Sequence, residues 1–242
     1  MPNVSIVIPS VNEESVIGRT LSHLRDALPR GTYEIIVVDD ESTDRTVEIA
    51  RKSADKVIVR TGEIHSIPRG KNAGGRAAQG EFIAFLDADC EPEKPKEFFE
   101  KALALFNENP ALTGLTCSLK VFPSMATWAD RVVFGGVNLT FRLINNVLRR
   151  GGASGEFQMV RRKTFEATGG FNEALPVAED QDFFQRVAKL GRVRMEPGLT
   201  VWHTGRRAHK LGWPRLLMHW WVNYLSITLR GKSAFKEWKV IR

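Results

Sequence analysis

Residues 81–90 read EFIAFLDADC, and this stretch decides the fold class. After Glu81 comes the unbroken apolar run FIAFL, which is typical of a strand that is buried on both faces of a sheet. Two carboxylates, Asp87 and Asp89, follow directly. In open α/β sheets, ligands bind beyond the carboxyl ends of the strands. The stretch therefore predicts that the chain leaves its core here and enters a binding crevice.

Strands and helices are predicted to alternate through the first 90 residues. Apolar runs predict further strands at residues 4–9, 33–40 and 56–60. Ile17, Leu21 and Leu24 recur at helical spacing, and an Ala-rich helix that ends at Gly80 precedes the run FIAFL. Helices between strands imply βαβ units, so the chain is predicted to have an α/β fold with a mainly parallel sheet.

The second half of the chain is predicted to be less regular. Helices are predicted at residues 95–106, 163–169 and 179–191, and a strand at residues 155–160. Strict alternation of apolar and polar residues at 115–121 predicts a half-exposed strand. Residues 192–203 are predicted to form two short strands. Residues 128–150 form a long apolar segment with scattered arginines.

The composition limits the classes of function. The chain has 242 residues, of which 43% are hydrophobic and 26% charged, as in an ordinary globular protein. Its net charge of +7 suggests a polyanionic partner: a nucleic acid, a phosphate-bearing ligand or an anionic membrane. Cys90 and Cys117 lack metal-ligand spacing and are predicted to be reduced core residues. No signal peptide or membrane-spanning run is predicted, which favours a cytoplasmic protein.

The carboxylates at the predicted strand ends suit two kinds of binding. A D-x-D pair can hold a hard divalent cation such as Mg²⁺ or Mn²⁺, which shares its ligand shell with substrate phosphates. Asp39 and Asp40, at a neighbouring strand end, can accept hydrogen bonds from a nucleotide base or ribose. Acidic residues begin many loops, so D-x-D alone is a weak signal, and the interpretation depends on the combination.

Four segments in order resemble the inverting family 2 glycosyltransferases. The segments are VSIVIPSVNEE, EIIVVDDESTD, GKNAGGRAAQGEFIAFLDAD and GGFNEALPVAEDQDF. The resemblance implies the GT-A nucleotide-sugar-binding fold, with a mainly parallel, Rossmann-like mixed sheet. It also implies a GT-A domain over residues 1–205, with a nucleotide-binding half at 1–90 and an acceptor half at 91–205.

The resemblance implies a role for each matching residue. The nucleotide would contact Pro9, Asn12, Glu14, Asp40, Lys71 and Asp87. Asp89, the last residue of D-x-D, would bind the metal ion, with His203 as a further ligand. Asp180, the second residue of the E-D pair, would be the general base.

Three further residues are candidates near this site. Glu156 is a candidate for binding a sugar hydroxyl of the acceptor. Arg206 and Arg207 are candidates for binding the diphosphate through charge-assisted hydrogen bonds. They lie where membrane-linked relatives carry a Q-x-x-R-W motif, and that motif is absent here.

Residues 206–242 are predicted to form a basic amphipathic C-terminal segment. The run LLMHWWVNYLSITLR is too short to span a bilayer, and lysines at 232, 236 and 239 follow it. Tryptophans followed by basic residues favour a helix at the surface of an anionic membrane, and residues 128–150 raise the same possibility. A helix that packs on the domain or in a dimer is the alternative.

Together these features predict a metal-dependent, inverting glycosyltransferase. It would move a hexose from a UDP- or GDP-linked donor to an acceptor hydroxyl, in glycan or glycolipid synthesis on the cytoplasmic face of the membrane. The partners would be the nucleotide-diphosphate sugar and a glycan or lipid-linked acceptor, with peripheral membrane contact. Three alternatives stay open: a polyprenyl-phosphate sugar synthase, a donor-binding domain without catalysis, and a basic nucleic-acid-binding module. No nucleic-acid-binding motif is present, so a nucleic acid is not expected as a partner.

Overall fold

A computed structural model describes residues 2–62, 66–230 and 232–235. The strands, which form one sheet, are β1 Val4–Ser10, β2 Tyr33–Asp39, β3 Lys56–Val59, β4 Phe82–Leu86, β5 Cys90–Pro92, β6 Leu112–Val121, β7 Phe157–Arg161 and β8 Arg192–His203. The helices are α1 Ile17–Ala27, α2 Thr46–Ser53, α3 Ile67–Ala77, α4 Pro95–Glu108, α5 Trp128–Arg142, α6 Arg162–Thr168, α7 Glu179–Leu190, α8 Arg206–Leu211 and α9 Trp213–Arg230. A π-helical turn, Leu143–Val147, continues α5.

The first half of the chain forms the parallel side of the sheet. The strand order is β3-β2-β1-β4-β7-β6-β8-β5, and β3, β2, β1 and β4 are parallel neighbours. The carboxyl ends of these strands therefore meet at one edge, where the loops after β1, β2 and β4 emerge. This confirms the alternation that the sequence predicts.

The second half makes the sheet mixed. β7 pairs antiparallel with both β4 and β6, and β8 runs parallel to β6. β5 closes the far edge by pairing antiparallel with β8, so that Cys90 lies opposite His203. The residue before β5 is Asp89, so this pairing places the end of D-x-D beside the end of β8.

Two predictions about the second half are wrong. β6 was expected to be half-exposed, but among its residues only Lys120 is exposed, because the sheet is covered on both sides there. Residues 192–203 form one strand rather than two. Its register against β6 jumps from Glu196 to Thr200, so the segment around Pro197 bulges while the strand continues. The three-residue strand β5 was not predicted, since so short a run has no readable period.

Apolar side chains fill both faces of the sheet. Along β1, Ile6 and Ile8 face one cluster with α1 and α4, while Val7 faces a second cluster with α6 and α7. In the second cluster the ring of Phe85 meets that of Phe171 edge-on, with centroids 4.8 Å apart. Burial on both faces explains the continuous apolar runs, since each strand has no solvent side.

The C-terminal amphipathic helix is present as α9. Residue 231 and residues 236–242, with the predicted basic positions Lys236 and Lys239, lie outside the described residues. Among the residues described, no helix combines the length and the apolarity that crossing a membrane requires.

Candidate active site

The loops after β1 and β2 bind each other through residues that the sequence assigns to the nucleotide. Asn12 has a left-handed backbone, with φ of 53°, and its Oδ1 accepts a hydrogen bond from the backbone N–H of Thr43 at 2.8 Å. Glu14 Oε2 accepts one from the backbone N–H of Arg45 at 3.1 Å. Pro9 lies half-buried near the end of β1. All three predicted residues therefore lie where β1 and β2 reach the edge of the sheet.

The two aspartates at the end of β2 have different partners. Asp39 is fully buried and accepts hydrogen bonds from the hydroxyls of Ser10, at 3.1 Å, and Ser42, at 2.5 Å. Asp40 accepts a hydrogen bond at Oδ1 from Arg60 Nη1 at 2.5 Å, and Arg60 is buried as well. Asp39 thus fixes the loop, whereas Asp40 shares its charge with an arginine at the predicted nucleotide position.

Lys71 brings a buried positive charge from α3. Its side chain is fully buried, and within the described part of the chain Nζ has no hydrogen-bond partner. Nζ lies 3.5 Å from Glu179 Oε1 at the start of α7. Burial alone would lower the pKa of Lys71, but the carboxylates of Glu179, Asp87 and Asp180 outweigh it and raise that pKa. Lys71 is therefore charged, and its partners are negative.

Gly155 lies where three charged groups converge. A Cβ on this glycine would lie 3.4 Å from Lys71 Nζ, 3.6 Å from Asp87 Oδ2 and 3.8 Å from Asp180 Oδ2. The three groups come from α3, the loop after β4 and the start of α7, which are far apart in sequence. The structure thus brings together the predicted nucleotide residues Lys71 and Asp87 and the predicted base Asp180. The missing side chain leaves a small space between them.

Asp180 is held at the first turn of α7. Its Oδ1 accepts a hydrogen bond from the backbone N–H of Gln181 at 2.8 Å, and its carbonyl accepts one from the Gln158 side chain of β7 at 3.1 Å. Burial and the neighbouring Glu179 raise the pKa of Asp180 to about 7, although Lys71 opposes this shift. A carboxylate whose pKa lies near neutrality is well matched to accepting a proton at physiological pH.

Asp87 is the second carboxylate with a raised pKa. Burial raises its pKa to about 8; the positive charge of Lys71 opposes this, while Glu156 and Asp89 add to it. Too many carboxylates lie together here for one lysine to neutralise. A further positive charge beside Asp87 would therefore be electrostatically favourable.

In the structure that further positive charge beside D-x-D is Arg206. Its guanidinium binds Glu13 with two hydrogen bonds, each 2.7 Å long, and its Nε lies 3.3 Å from Asp89 Oδ2. Thr204 also donates a hydrogen bond to Asp89 Oδ2. Burial would lower the pKa of Arg206, but Glu13 and Asp89 raise it, so the side chain stays charged. Arg207 follows directly at the start of α8.

The residues near Asp89 fit a divalent cation held mainly by its substrate. Carboxylate oxygens are hard ligands, and Mg²⁺ is often bound by one or two carboxylates together with phosphates. No group of three or more His, Cys, Asp and Glu suited to a metal ion occurs within the described residues. His203 is buried, and its Nε2 has no hydrogen-bond partner in the same part of the chain. The backbone N–H of Gly205 donates to its Nδ1 at 3.1 Å, so the neutral ring carries its proton on Nε2. To bind a metal ion through Nε2, the ring would have to move its proton to Nδ1, and the hydrogen bond from Gly205 would break. Asp89 is therefore the better ligand candidate.

Glu156 faces the same region from the start of β7. Its carboxylate accepts a hydrogen bond from Ser154, and its backbone carbonyl accepts one from Asp87 N–H at 3.4 Å. It contributes to the raised pKa of both Asp87 and Asp180. This candidate acceptor residue therefore lies within electrostatic reach of the site.

Sequence reasoning missed two carboxylates that the structure brings into this network. Glu179, directly before the predicted base Asp180, is buried against Lys71. Glu13 lies between the predicted nucleotide residues Asn12 and Glu14 and binds Arg206. The signal available in the sequence was the doubling of acidic residues in NEE and AED, since one carboxylate of each pair needs a cation when it is buried.

Comparisons with known proteins point to one family. The model of the family described as glycosyl transferase family 2 matches residues 5–169. The chain is 29% identical over 260 residues to a probable glycosyltransferase, YdaM, of Bacillus subtilis, covering 99% of this chain and 59% of that protein. It is 27% identical over 259 residues to the beta-monoglucosyldiacylglycerol synthase of a Nostoc species, covering 91% of this chain and 51% of that protein. The chain therefore spans between half and three fifths of the length of these two relatives.

Solved structures agree on the fold. The mannosyltransferase PcManGT from Pyrobaculum calidifontis, in complex with GDP-Man and Mn²⁺, superposes with a TM-score of 0.68 at 22% identity, over 84% of this chain and 57% of that one. Residues 1–349 of Staphylococcus aureus TarS, in complex with UDP-GlcNAc, superpose with a TM-score of 0.65 at 23% identity, over 84% of this chain and 58% of that one. These likenesses confirm the GT-A fold.

The family match includes Lys71, D-x-D and Gly155 at this sheet edge, and it ends before Asp180. It covers more than half of the chain, and the fold is the one that the resemblance implied. The chain belongs to glycosyl transferase family 2.

Proposed function

We propose that this chain transfers a hexose from a nucleotide-diphosphate sugar to an acceptor hydroxyl, with inversion at C1. The observation that carries the proposal is the convergence of Asp180, Asp87 and Lys71 within 4 Å of one point at the sheet edge. The neighbours in complex with GDP-Man and UDP-GlcNAc support a nucleotide sugar as donor. The nucleotide would lie over residues 1–90 and the acceptor over residues 91–205.

In this proposal Asp180 acts as the general base. The acceptor oxygen forms a bond to C1 of the sugar, the bond from C1 to the diphosphate oxygen breaks, and Asp180 takes the proton of the hydroxyl. A positioned base typically contributes about 10²–10⁴-fold in rate. The raised pKa of Asp180 suits this role, because the group is then basic enough to hold the proton and still ionised in part near neutrality.

The other residues bind and orient the donor. Pro9, Asn12, Glu14 and Asp40 would contact base and ribose from the loops after β1 and β2. Asp89 would hold a divalent cation, Mn²⁺ or Mg²⁺, with His203 as a further ligand candidate. When bound, such an ion stabilises the negative charge of the leaving diphosphate. The PcManGT complex contains Mn²⁺, which supports this choice. Arg206 and Arg207 would add charge-assisted hydrogen bonds to the diphosphate.

We further propose an acceptor at a membrane surface, on a glycan or a lipid. The relative named beta-monoglucosyldiacylglycerol synthase supports a lipid-linked acceptor. Segment 206–242 would then form the peripheral contact with the cytoplasmic face.

The test combines donor binding with two aspartate variants. Melting temperature would be measured with UDP, GDP, CDP and dTDP, each with and without Mn²⁺, on wild type, Asp89→Ala and Asp180→Asn. We expect one nucleotide to stabilise wild type only with metal, by about 2.7 kcal/mol at a hundredfold excess over Kd. Asp89→Ala should lose this shift, whereas Asp180→Asn should keep it, because the base does not contact the nucleotide.

Activity is then measured as nucleotide release from the stabilising donor class. Asp180→Asn should lower the rate by about 10²–10⁴-fold. Wild-type rate should rise with pH through about 7, as Asp180 loses its proton. Asp182→Asn is the matched control: Asp182 lies in the same helix and pairs with Arg186, so nucleotide release should be unchanged. Full activity in Asp180→Asn would point to an acidic acceptor such as a polyprenyl phosphate. No nucleotide shift under any condition would overturn the donor proposal.

A further inference from the structure

Helix α5 and the turn after it expose an apolar stripe. Trp128, Val132, Leu139, Leu143 and Val147 recur at steps of four, seven, four and four residues, which places them along one side of the helix. Their exposed fractions lie between 48% and 78%. The opposite side of α5 is the one that packs on the sheet, since Phe134 there is buried. The exposed stripe is therefore separate from the buried side of α5 that packs on the sheet.

Helix α9 has its apolar side outward as well. Leu217, Met218, Trp221, Val222 and Leu225 are exposed, with exposed fractions between 36% and 64%. The polar residue Asn223 is buried instead and accepts a hydrogen bond from the backbone N–H of Ala234 at 3.0 Å. A surface helix whose outer side contacts only water exposes its polar residues and buries its apolar ones.

The two helices are fixed to each other at one junction. Asp130, in the first turn of α5, accepts hydrogen bonds from Trp213 Nε1 at 2.9 Å and from His209 Nε2 at 2.8 Å. The rings of Phe134 and Trp213 meet edge-on, with centroids 5.4 Å apart. The junction joins the first turns of α5 and α9, and we call the stripe of α5 together with the outward side of α9 the docking surface.

The two segments that carry most of the docking surface have charged side chains of one sign. The sequence contains no Asp or Glu between residues 131 and 155, nor between residues 204 and 235. The basic residues Arg131, Arg142, Arg149, Arg150 and Arg215 are all exposed there. A second copy of the chain would bring the same positive charge against itself. An anionic surface would be attracted instead.

We propose that the docking surface binds an anionic lipid bilayer. Exposed Trp and Leu side chains enter the boundary between headgroups and acyl chains, and the arginines contact the lipid phosphates. This inference rests on the peripheral membrane contact proposed above and adds α5 to it, within the segment 128–150 for which the sequence raises the same possibility. Vesicle binding requires neither donor nor acceptor, so it can succeed or fail separately from glycosyl transfer.

The test measures vesicle flotation of the full chain without substrates. Vesicles of phosphatidylcholine alone would be compared with vesicles of equal parts phosphatidylcholine and phosphatidylglycerol. We expect about tenfold or greater preference for the anionic vesicles, and a loss of that preference at high salt. Trp128→Ser on α5 and Trp221→Ser on α9 should each weaken binding by about tenfold. Trp128 is 78% exposed, so the melting temperature of Trp128→Ser should be unchanged.

Leu190→Ser is the matched control. Leu190 on α7 is 51% exposed but lies outside the docking surface, so this variant should bind vesicles as wild type does. Equal binding to neutral and anionic vesicles would overturn the proposal, as would wild-type binding by both tryptophan variants. Light scattering supplies a further outcome. If wild type is a dimer and Trp128→Ser is a monomer, the surface is covered by a second copy and the lipid proposal is wrong.

Discussion

At the scale of single residues, the site is a cluster of carboxylates around one buried lysine. Breaking a buried ion pair usually costs about 3–5 kcal/mol, because it leaves the remaining charge unpaired. Here Lys71 faces Glu179, Asp87 and Asp180, and the raised pKa values of the two aspartates indicate more negative charge than one lysine neutralises. The cluster is therefore prepared for a positively charged or proton-donating ligand, which fits substrate binding better than it fits stability alone.

The small space at Gly155 leads to a prediction. Gly155→Ala would place a methyl group 3.4–3.8 Å from Lys71 Nζ and the two aspartates, which is ordinary van der Waals contact. We expect the fold to tolerate this methyl group and the rate of nucleotide release to fall by about tenfold or more, since the methyl displaces a reacting atom or water. Melting temperature and steady-state rate are the two measurements.

Gly135→Ala provides the control for this substitution. Nothing lies within 4 Å of a Cβ at Gly135, which is exposed on α5. The rate should be that of wild type, with a gain of stability of about 0.5–1 kcal/mol from the helix interior. If Gly155→Ala keeps the full rate, then no substrate atom needs this space and the placement of the reaction between Asp87 and Asp180 is wrong.

At the scale of elements, Asp130 joins three helices. It forms a capping box with Thr127 at the start of α5, and it accepts hydrogen bonds from His209 in α8 and Trp213 in α9. It is 1% exposed. Nothing in the sequence around TWAD separates an ordinary helix cap from this junction, since the two partners lie about eighty residues later. Such a contact becomes visible only once the second half has folded.

Removing Asp130 should loosen all three helices. We expect Asp130→Ala to lower the free energy of unfolding by about 2–4 kcal/mol, from one lost cap and charge-assisted hydrogen bonds. Urea denaturation measures this change. Asp26→Ala, which removes an exposed carboxylate of α1, should change stability by less than about 0.5 kcal/mol.

Acid should have a related effect on wild type. Burial would raise the pKa of Asp130, but hydrogen bonds from His209, Thr127 and Trp213 lower it from 3.8 to about 2. A depressed pKa gives stability that is complete above the unfolded value and is lost as the pH falls from about 4 to about 2. In Asp130→Ala this part of the acid sensitivity should be absent. An unchanged acid midpoint would mean that the junction contributes little.

At the scale of the whole molecule, the two thiols report on opening of the sheet. Cys90 in β5 and Cys117 in β6 are fully buried and unpaired. Burial, together with nearby carboxylates, raises the pKa of each thiol well above its usual range. We expect the native protein to be inert to a thiol reagent, with both residues reacting in denaturant. Fast labelling of Cys90 under native conditions would instead reveal local opening of the β5 edge.

Sequence patterns predict the parallel half well and the second half less well. The apolar runs of β1, β2 and β4 are continuous because those strands have no solvent face. Each helix between them is set by a periodic pattern of residues that are close in sequence. In contrast, β5 is three residues long, and the burial of β6 depends on layers that are distant in sequence. Asp180, Asp87 and Lys71 could be named from motifs. That Glu13 binds Arg206, 193 residues later, follows only from the closed sheet.

The mixed topology has a consequence for the order of folding. The pairs β1–β2 and β2–β3 join consecutive strands through one helix each, whereas β5 pairs with a strand about one hundred residues away. Because long loops cost more entropy to close, we expect the parallel half to form early and the β5–β8 edge to form late. Asp89 lies directly between an early strand and this late one. The proposed cation ligand is thus expected to reach its place only in the last stage of folding, so a partly folded chain would not acquire a competent site.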